Sequence, residues 1–314
     1  MRPWARRTRL DAQYPLTAHY GFVTGGGSIT VATEVLAAVL GAALLHALWN
    51  SLVKSAGDKF LTSARVCLWC GAIALAAGCV LPVPDSAAAG FIAASAIIHV
   101  GYFVLVGRLY RNADLSVAYP IMRGLAPLIA CLIAGLTLAE VPKPLTLAGV
   151  VILVAGVATM GISGLAQGRI DRATLVVALA NSAIIAVYTV VDGEGARLAG
   201  PDAAHAFAYN AWADALTAAL YAPLLFAFRG AGFARDLMRD SPRSGIGGLA
   251  AFGGYALVVW AMTQTMISAV AALRESSVVF AALIGVVFLG EPFRRARAGA
   301  AVLIMAGVVA LRLG

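Results

Sequence analysis

Arg123 and Arg274 each stand inside an apolar run, the first in SVAYPIMRGLAPLIACLIAGLTLAE and the second in ISAVAALRESSVVFAALIGVVFLGE. One shift of 151 residues carries Arg123 onto Arg274 and Glu140 onto Glu291. A charge near the middle of a bilayer costs about 2.5–3.5 kcal/mol on insertion scales, so it survives where it faces a cavity or a partner. Arginine presents a planar fork of donors that suits a carboxylate, a phosphate or a phosphonate. Two such forks in register predict substrate-binding positions around one central site that prefers an anion. The competing reading is that each arginine is held by an acid on another span.

Other polar groups in apolar runs extend this set. Glu275 follows Arg274 directly. Neighbours on a helix diverge by about 100°, so Glu275 serves either as a proton acceptor or as the partner of an arginine across the cavity. Asp214, in YNAWADALTAAL, is either a proton carrier or the counter-ion of Arg123 or Arg274, with Asn210 one turn back on the same face. His46, Trp49 and Asn50 form a polar stripe in the first run. With Tyr119 they join the predicted substrate-binding residues. His46 titrates near neutral pH when unperturbed; the plainer role for the stripe is an interhelical hydrogen bond. Asp192 is a further coupling or ion-pair candidate. It lies with Glu194 in VVDGEGAR, where Gly193 and Gly195 predict a helix break. Tyr188, Trp260 and Gln264 are candidate cavity walls. Glu140 and Glu291 stand at span ends before short loops and read as anchors.

Several chemistries find no support. The sequence holds no H-E-x-x-H, G-x-S-x-G or G-x-x-x-x-G-K-[ST], so an enzyme is not expected and ATP-driven pumping would need a separate subunit. Cys67 and Cys70 enclose Leu68 and Trp69 within an apolar run. A redox or metal pair needs an exposed, electropositive turn or a second ligand pair. These cysteines, with Cys79 and Cys131, read as packing residues, and no metal or cofactor is expected.

The elements that position these residues are membrane helices. The chain has 314 residues, 61% hydrophobic and 12% charged, with mean hydropathy +0.88. Soluble domains carry roughly 25% charged residues. The apolar runs approach the ~20 residues that span a bilayer. They predict ten spans, at about 33–53, 61–81, 87–107, 115–138, 145–164, 173–192, 204–228, 245–264, 267–289 and 295–313. Gly/Pro/Asp turns such as Pro82-Val83-Pro84-Asp85 and Gly200-Pro201-Asp202 separate them. The repeat divides the chain into halves at 31–165 and 170–314, five spans each, so the second half is inverted relative to the first. Such repeats place a transporter's site at the midplane between them. Gly149 and Gly156 in the fifth span are echoed by Gly299 and Gly307 in the tenth, spacing that lets helices approach closely.

The net charge of +8 sits in loops and tail, where lipid head groups favour it. A nucleic-acid partner is not expected, because no basic face is interleaved with aromatics. Residues 1–30 read as a disordered basic tail, or as a start misassigned upstream of Val31. The loop charges place the termini outside by the positive-inside rule.

The pattern LTLAE-VPKPLTLAGVVILVAGV, repeated as VFLGE-PFRRARAGAAVLIMAGVVAL, resembles EamA-type members of the drug/metabolite transporter superfamily. The opening LLHALWNSLVKSAGD and the VYTVVDGEGAR segment are similar too. The resemblance covers about residues 33–313. It implies a basket of ten helices in the cell (inner) membrane, with spans five and ten outside a central cavity. It also implies alternating access coupled to a proton or a counter-substrate, and cytoplasmic termini, against the loop charges. The small four-span multidrug relatives carry a Glu in mid-span one. Here Glu34 stands only at the entrance, which argues against cationic drug export. The leading expectation is a secondary transporter of a small anionic or zwitterionic metabolite: an amino acid, another carboxylate or a phosphonate. Export of neutral or cationic metabolites or drugs is the alternative, followed by a membrane-embedded enzyme or a scaffold.

Overall fold

The computed structural model describes residues 31–112, 122–165, 171–238, 242–289 and 295–314. The basic tail, Tyr119 and Glu291 lie outside the described residues. All regular structure among the described residues is helical. The helices are α1 (Thr33–Lys54), α2 (Lys59–Gly78), α3 (Ala89–Asn112, entered through the single 3-10 turn Ser86–Ala88), α4 (Ala126–Leu138), α5 (Pro144–Leu165) and α6 (Arg172–Leu198). They continue with α7 (Ala203–Arg229), α8 (Ala231–Met238), α9 (Pro242–Gln264), α10 (Ile267–Arg274), α11 (Ser277–Leu289) and α12 (Arg295–Leu313). Seven helical segments are long and apolar enough to cross a membrane, and Met122–Leu138, Pro144–Thr159 and Ala298–Leu313 are shorter apolar helices. A helix keeps its backbone hydrogen bonds internal, as hydrocarbon requires.

Aspartates start several helices. Asp58 accepts from Leu61 N at 2.9 Å, Asp171 from Thr174 N at 2.8 Å and Asp202 from His205 N at 3.1 Å. Each satisfies an orphan donor of the first turn. Hydrogen bonds from Thr174 hold the Asp171 carboxyl below the usual aspartate range. His205, through its side chain first, does the same for Asp202. A lowered carboxyl favours folding above the unfolded-state pKa, and that contribution fades as pH falls through the lowered value.

Four expectations need correction. Helix α6 does not close at Asp192 but runs on to Leu198. Its glycines serve packing: a Cβ on Gly193 would lie 2.4 Å from Ile267 Cδ1, and one on Gly195 2.4 Å from Tyr209 Cε2. The ninth span is interrupted at Glu275–Ser276, between α10 and α11, and a turn at Leu125 interrupts the fourth just after Arg123. Helix α8 occupies what reads as a loop; its Phe233 and Leu237 pack with Tyr221 and Leu225 of α7. Gly299 has nothing within 4 Å of a built Cβ, so it plays no part in the close approach of α5 and α12.

That approach rests on the other three glycines. A Cβ on Gly149 would lie 2.9 Å from Leu311 N, and one on Gly156 3.0 Å from Ile304 N. One on Gly307 would lie 2.8 Å from Leu153 N and 2.9 Å from Gly149 O. These obstacles are backbone atoms, which cannot swing aside.

At one end of the bundle four elements are tied together. Helix α4 ends at Ala139 in the left-handed region (φ 55°), which turns the chain into Glu140. Glu140 is 1% exposed; its Oε2 accepts from Ile267 N, the first turn of α10, at 2.9 Å. Its Oε1 pairs with Arg197 of α6 at 2.6 Å. Arg197 donates onward to the carbonyls of Met262 and Thr265, both at 3.0 Å, closing the end of α9.

The glycine contact gives the first prediction. Gly307→Val should destabilise by about 1–3 kcal/mol, the usual range for overpacking, whereas Gly299→Ala should be neutral or slightly stabilising. Unfolding midpoints of the two detergent-purified variants check this. Equal midpoints would refute the contact.

Candidate functional site: a central arginine-lined cavity

A cavity of about 90 Å³ lies in the middle of the bundle. Its polar lining comprises His46 and Trp49 of α1, Cys67 and Cys70 of α2, His99 and Tyr102 of α3, Arg123, Tyr188 of α6, Asp214 and Thr217 of α7, Tyr255 of α9 and Arg274 of α10. Among the described residues α5 and α12 contribute nothing to it, matching what the resemblance implies.

The two arginines have different fates. Arg123 donates Nη2 to Glu275 Oε1 at 2.7 Å and Nε to Glu275 Oε2 at 3.1 Å, with both side chains 1% exposed. This two-point geometry is the strong form of the arginine–carboxylate bond. Of the roles open to Glu275 in sequence, the structure shows an ion pair with Arg123; Arg123 lines the cavity and Glu275 does not.

Arg274 is 4% exposed and has no described carboxylate within ion-pair distance. Its Nη2 lies 3.5 Å from the Tyr188 hydroxyl, at the outer limit of a hydrogen bond, and its buried Nε has no hydrogen-bond partner among the described residues. The guanidinium carbon sits 6.0 Å from the centre of the Tyr188 ring and 5.7 Å from that of Tyr255. Aromatic faces attract a cation at this range, but they leave its donors unused.

The helix break assists both charges. Arg274 ends α10 and Glu275 stands just before α11. A cation is favoured at a helix C-terminus and an anion at an N-terminus.

Behind the aromatic wall sits Asp192, fully buried. It accepts from the Tyr209 hydroxyl at 3.0 Å and from the Tyr255 hydroxyl. The second bond fixes the ring that lies over Arg274. Asp192 therefore stands behind the wall and does not itself line the cavity. His99 stacks on Tyr188 at 4.2 Å and meets Tyr255 edge-on at 5.7 Å.

Asp214 lines the cavity and pairs with neither arginine. Its Oδ2 accepts from Asn210 at 3.1 Å and from the Cys70 thiol at 3.6 Å. His46 and Trp49 face the cavity together, ring centres 5.2 Å apart. Asn50 is not among the lining residues: its amide donates to the His46 carbonyl at 2.8 Å, one turn back. Of the other suggested walls, Tyr188 lines the cavity while Trp260 and Gln264 do not. Reasoning from sequence missed Tyr102, Tyr255 and His99. His99 carried a legible signal, a polar residue in mid-span; the tyrosines carried none, because an amphipathic ring suits lipid and cavity alike.

Residues 172–313 match the family model described as the EamA-like transporter family. This second half belongs to the EamA-like transporter family. The family lies within the drug/metabolite transporter superfamily, and the match, with seven described helices long and apolar enough to cross a membrane, supports a multi-pass membrane protein of the transporter type. A solved crystal structure is similar over 88% of this chain and 96% of its own, with TM-score 0.65 and 22% identity, a level that speaks for the fold alone. No curated protein matches the chain. The EamA-like half supplies Tyr188, Asp214, Tyr255 and Arg274, and Glu275 beside them.

The ion pair predicts a specific mutational pattern. Glu275→Ala removes the two-point carboxylate partner from the buried Arg123 and should cost about 3–5 kcal/mol, whereas removing both charges with apolar residues of similar volume should cost far less. A double-mutant cycle on unfolding in detergent, with Arg123→Met and Glu275→Leu, reads the coupling. Simple additivity would show that the pair contributes nothing.

Proposed function

We propose that this chain is a secondary active transporter of a small anionic or zwitterionic metabolite, such as an amino acid, another carboxylate or a phosphonate. In this reading ten helices cross the cell (inner) membrane as two inverted five-helix halves, residues 31–165 and 170–314. The single observation that carries it is Arg274: a buried guanidinium facing a cavity without a carboxylate partner among the described residues. An uncompensated charge in an apolar bundle is costly. A substrate anion that accepts from the fork supplies the missing partner through charge-assisted hydrogen bonds.

The geometry also supports alternating access. Both arginine-bearing segments are interrupted beside the arginine, and discontinuous helices at the repeat interface build the sites of many secondary transporters. The tie between Glu140, Arg197 and Ile267 joins helices at one end of the bundle, and in this reading it parts when that end opens. A proton or a counter-substrate would drive the cycle.

Of the two arginines, Arg274 is the ligand and Arg123 the structural partner of Glu275. His46, Trp49, Tyr188 and Tyr255 shape the remaining wall. A cavity of about 90 Å³ is several times the roughly 10–15 Å³ that admits one water molecule on the same measure, room for a small metabolite.

Proteoliposomes on a solid-supported membrane, challenged with anionic, neutral and cationic metabolites under an imposed pH gradient, test this reading. Uptake measured alongside detects electroneutral cargo. Transport of anions or zwitterions should fall at least tenfold in Arg274→Ala and recover partly in Arg274→Lys, with an unchanged unfolding midpoint. Transport of cations alone, or anion transport that survives Arg274→Ala, would overturn it.

A further inference from the structure

Among the described residues, charge in the middle of the bundle does not balance. Arg123 and Glu275 meet at contact distance. Of the other described groups in or behind the cavity wall, Arg274 is one cation against two carboxylates, Asp192 and Asp214. Loading a substrate anion onto Arg274 would set three negative groups against one positive in a site with little water. Charge of one sign accumulates only at great cost in such surroundings, so a positive charge has to enter with the anion.

Only one of the two carboxylates is placed to receive it. Asp192 is fully buried, and both of its oxygens already accept tyrosine hydroxyls. Asp214 faces the cavity. Its partners are neutral, the Asn210 amide and the Cys70 thiol, and both engage Oδ2. Oδ1 accepts no hydrogen bond from the described residues, and none of their cations lies within ion-pair distance of Asp214.

We propose that Asp214 is the cation-accepting half of the site, so that each anion held by Arg274 travels with one positive charge on Asp214, either a proton or the substrate's own ammonium group. The inference rests on the anion reading of Arg274 given above. In the proton case, Oδ1 takes the proton on loading and gives it up on release. In the ammonium case, the carboxylate stays ionised and the aromatic walls flank the cation. The described titratable and charged groups around Asp214 are Cys67 and Cys70 from α2, Tyr209 on α7 itself, Asp192 and Tyr188 from α6, His46 from α1, His99 and Tyr102 from α3, Arg123 before α4, Tyr255 from α9 and Arg274 from α10. Helix α8 packs on the far end of α7 and on α2, and none of its described residues lines the cavity.

The test uses the full chain in proteoliposomes and solute pairs that differ by an amino group, lactate with alanine and ethanesulfonate with taurine. Uptake, luminal pH and the effect of a valinomycin-set potential are recorded together, with Arg274→Ala as background. In any pair whose uptake needs Arg274, both members should move without net charge. The plain anion should bring one proton and the amino member none. Asp214→Asn should abolish proton movement and cut uptake of the amino member at least tenfold. Thermal stabilisation of that variant by the plain anion should persist, which separates loss of the cation half from misfolding. Anion uptake that carries charge, or wild-type coupling in Asp214→Asn, would overturn the proposal while leaving Arg274 as the anion ligand. If neither pair shows Arg274-dependent uptake, the anion reading itself fails for these classes and the proposal falls with it.

Discussion

Hydrocarbon makes any uncompensated charge costly, and the middle of this bundle is arranged around that constraint. Arg123 and Glu275 meet by two hydrogen bonds with both side chains almost wholly buried. The pair joins a residue before α4 to the junction of α10 and α11 across 152 positions of chain. It thereby fixes the two helix interruptions relative to each other. The second arginine, displaced from that pairing, is left facing open space.

The aromatic groups make that exposure tolerable. Tyr188 and Tyr255 turn their faces towards Arg274, which attracts the guanidinium without saturating its donors. Asp192 then holds Tyr255 from behind through its hydroxyl. A carboxylate in direct contact with Arg274 would occupy the fork. Placed one ring away, Asp192 compensates charge and orients the wall while the fork stays open.

The packing that surrounds this centre divides into rigid and breakable parts. Helices α5 and α12 meet backbone to backbone at Gly149, Gly156 and Gly307, outside the cavity. Contacts of that kind resist sliding, because interiors this dense are not continuously deformable. The other tie is different: Glu140, Arg197 and the start of α10 are held by a few directional polar bonds. Water can replace such bonds, whereas a glycine crossing has no comparable substitute.

Much of this was legible in the sequence, for physical reasons. Hydropathy showed the apolar helices, because the bilayer demands long apolar runs. Aspartates and glycines marked the turns. Buried charges in apolar runs pointed to Arg123, Arg274, Asp214, Glu275 and Asp192, because lipid penalises them unless they face inward. What the linear order left open was partnership. Arg123 and Arg274 occupy equivalent places in the repeat, yet one is neutralised by Glu275 and the other is not. Gly193 and Gly195 read as a break and serve as contact surfaces, since a glycine has the same signature in either role. Asn50 shares its helix face with His46 but turns back onto its own backbone. Sequence determined which residues must avoid lipid; the tertiary structure decided which of them meet, because ion pairing depends on contacts within a few ångströms between helices far apart in the chain.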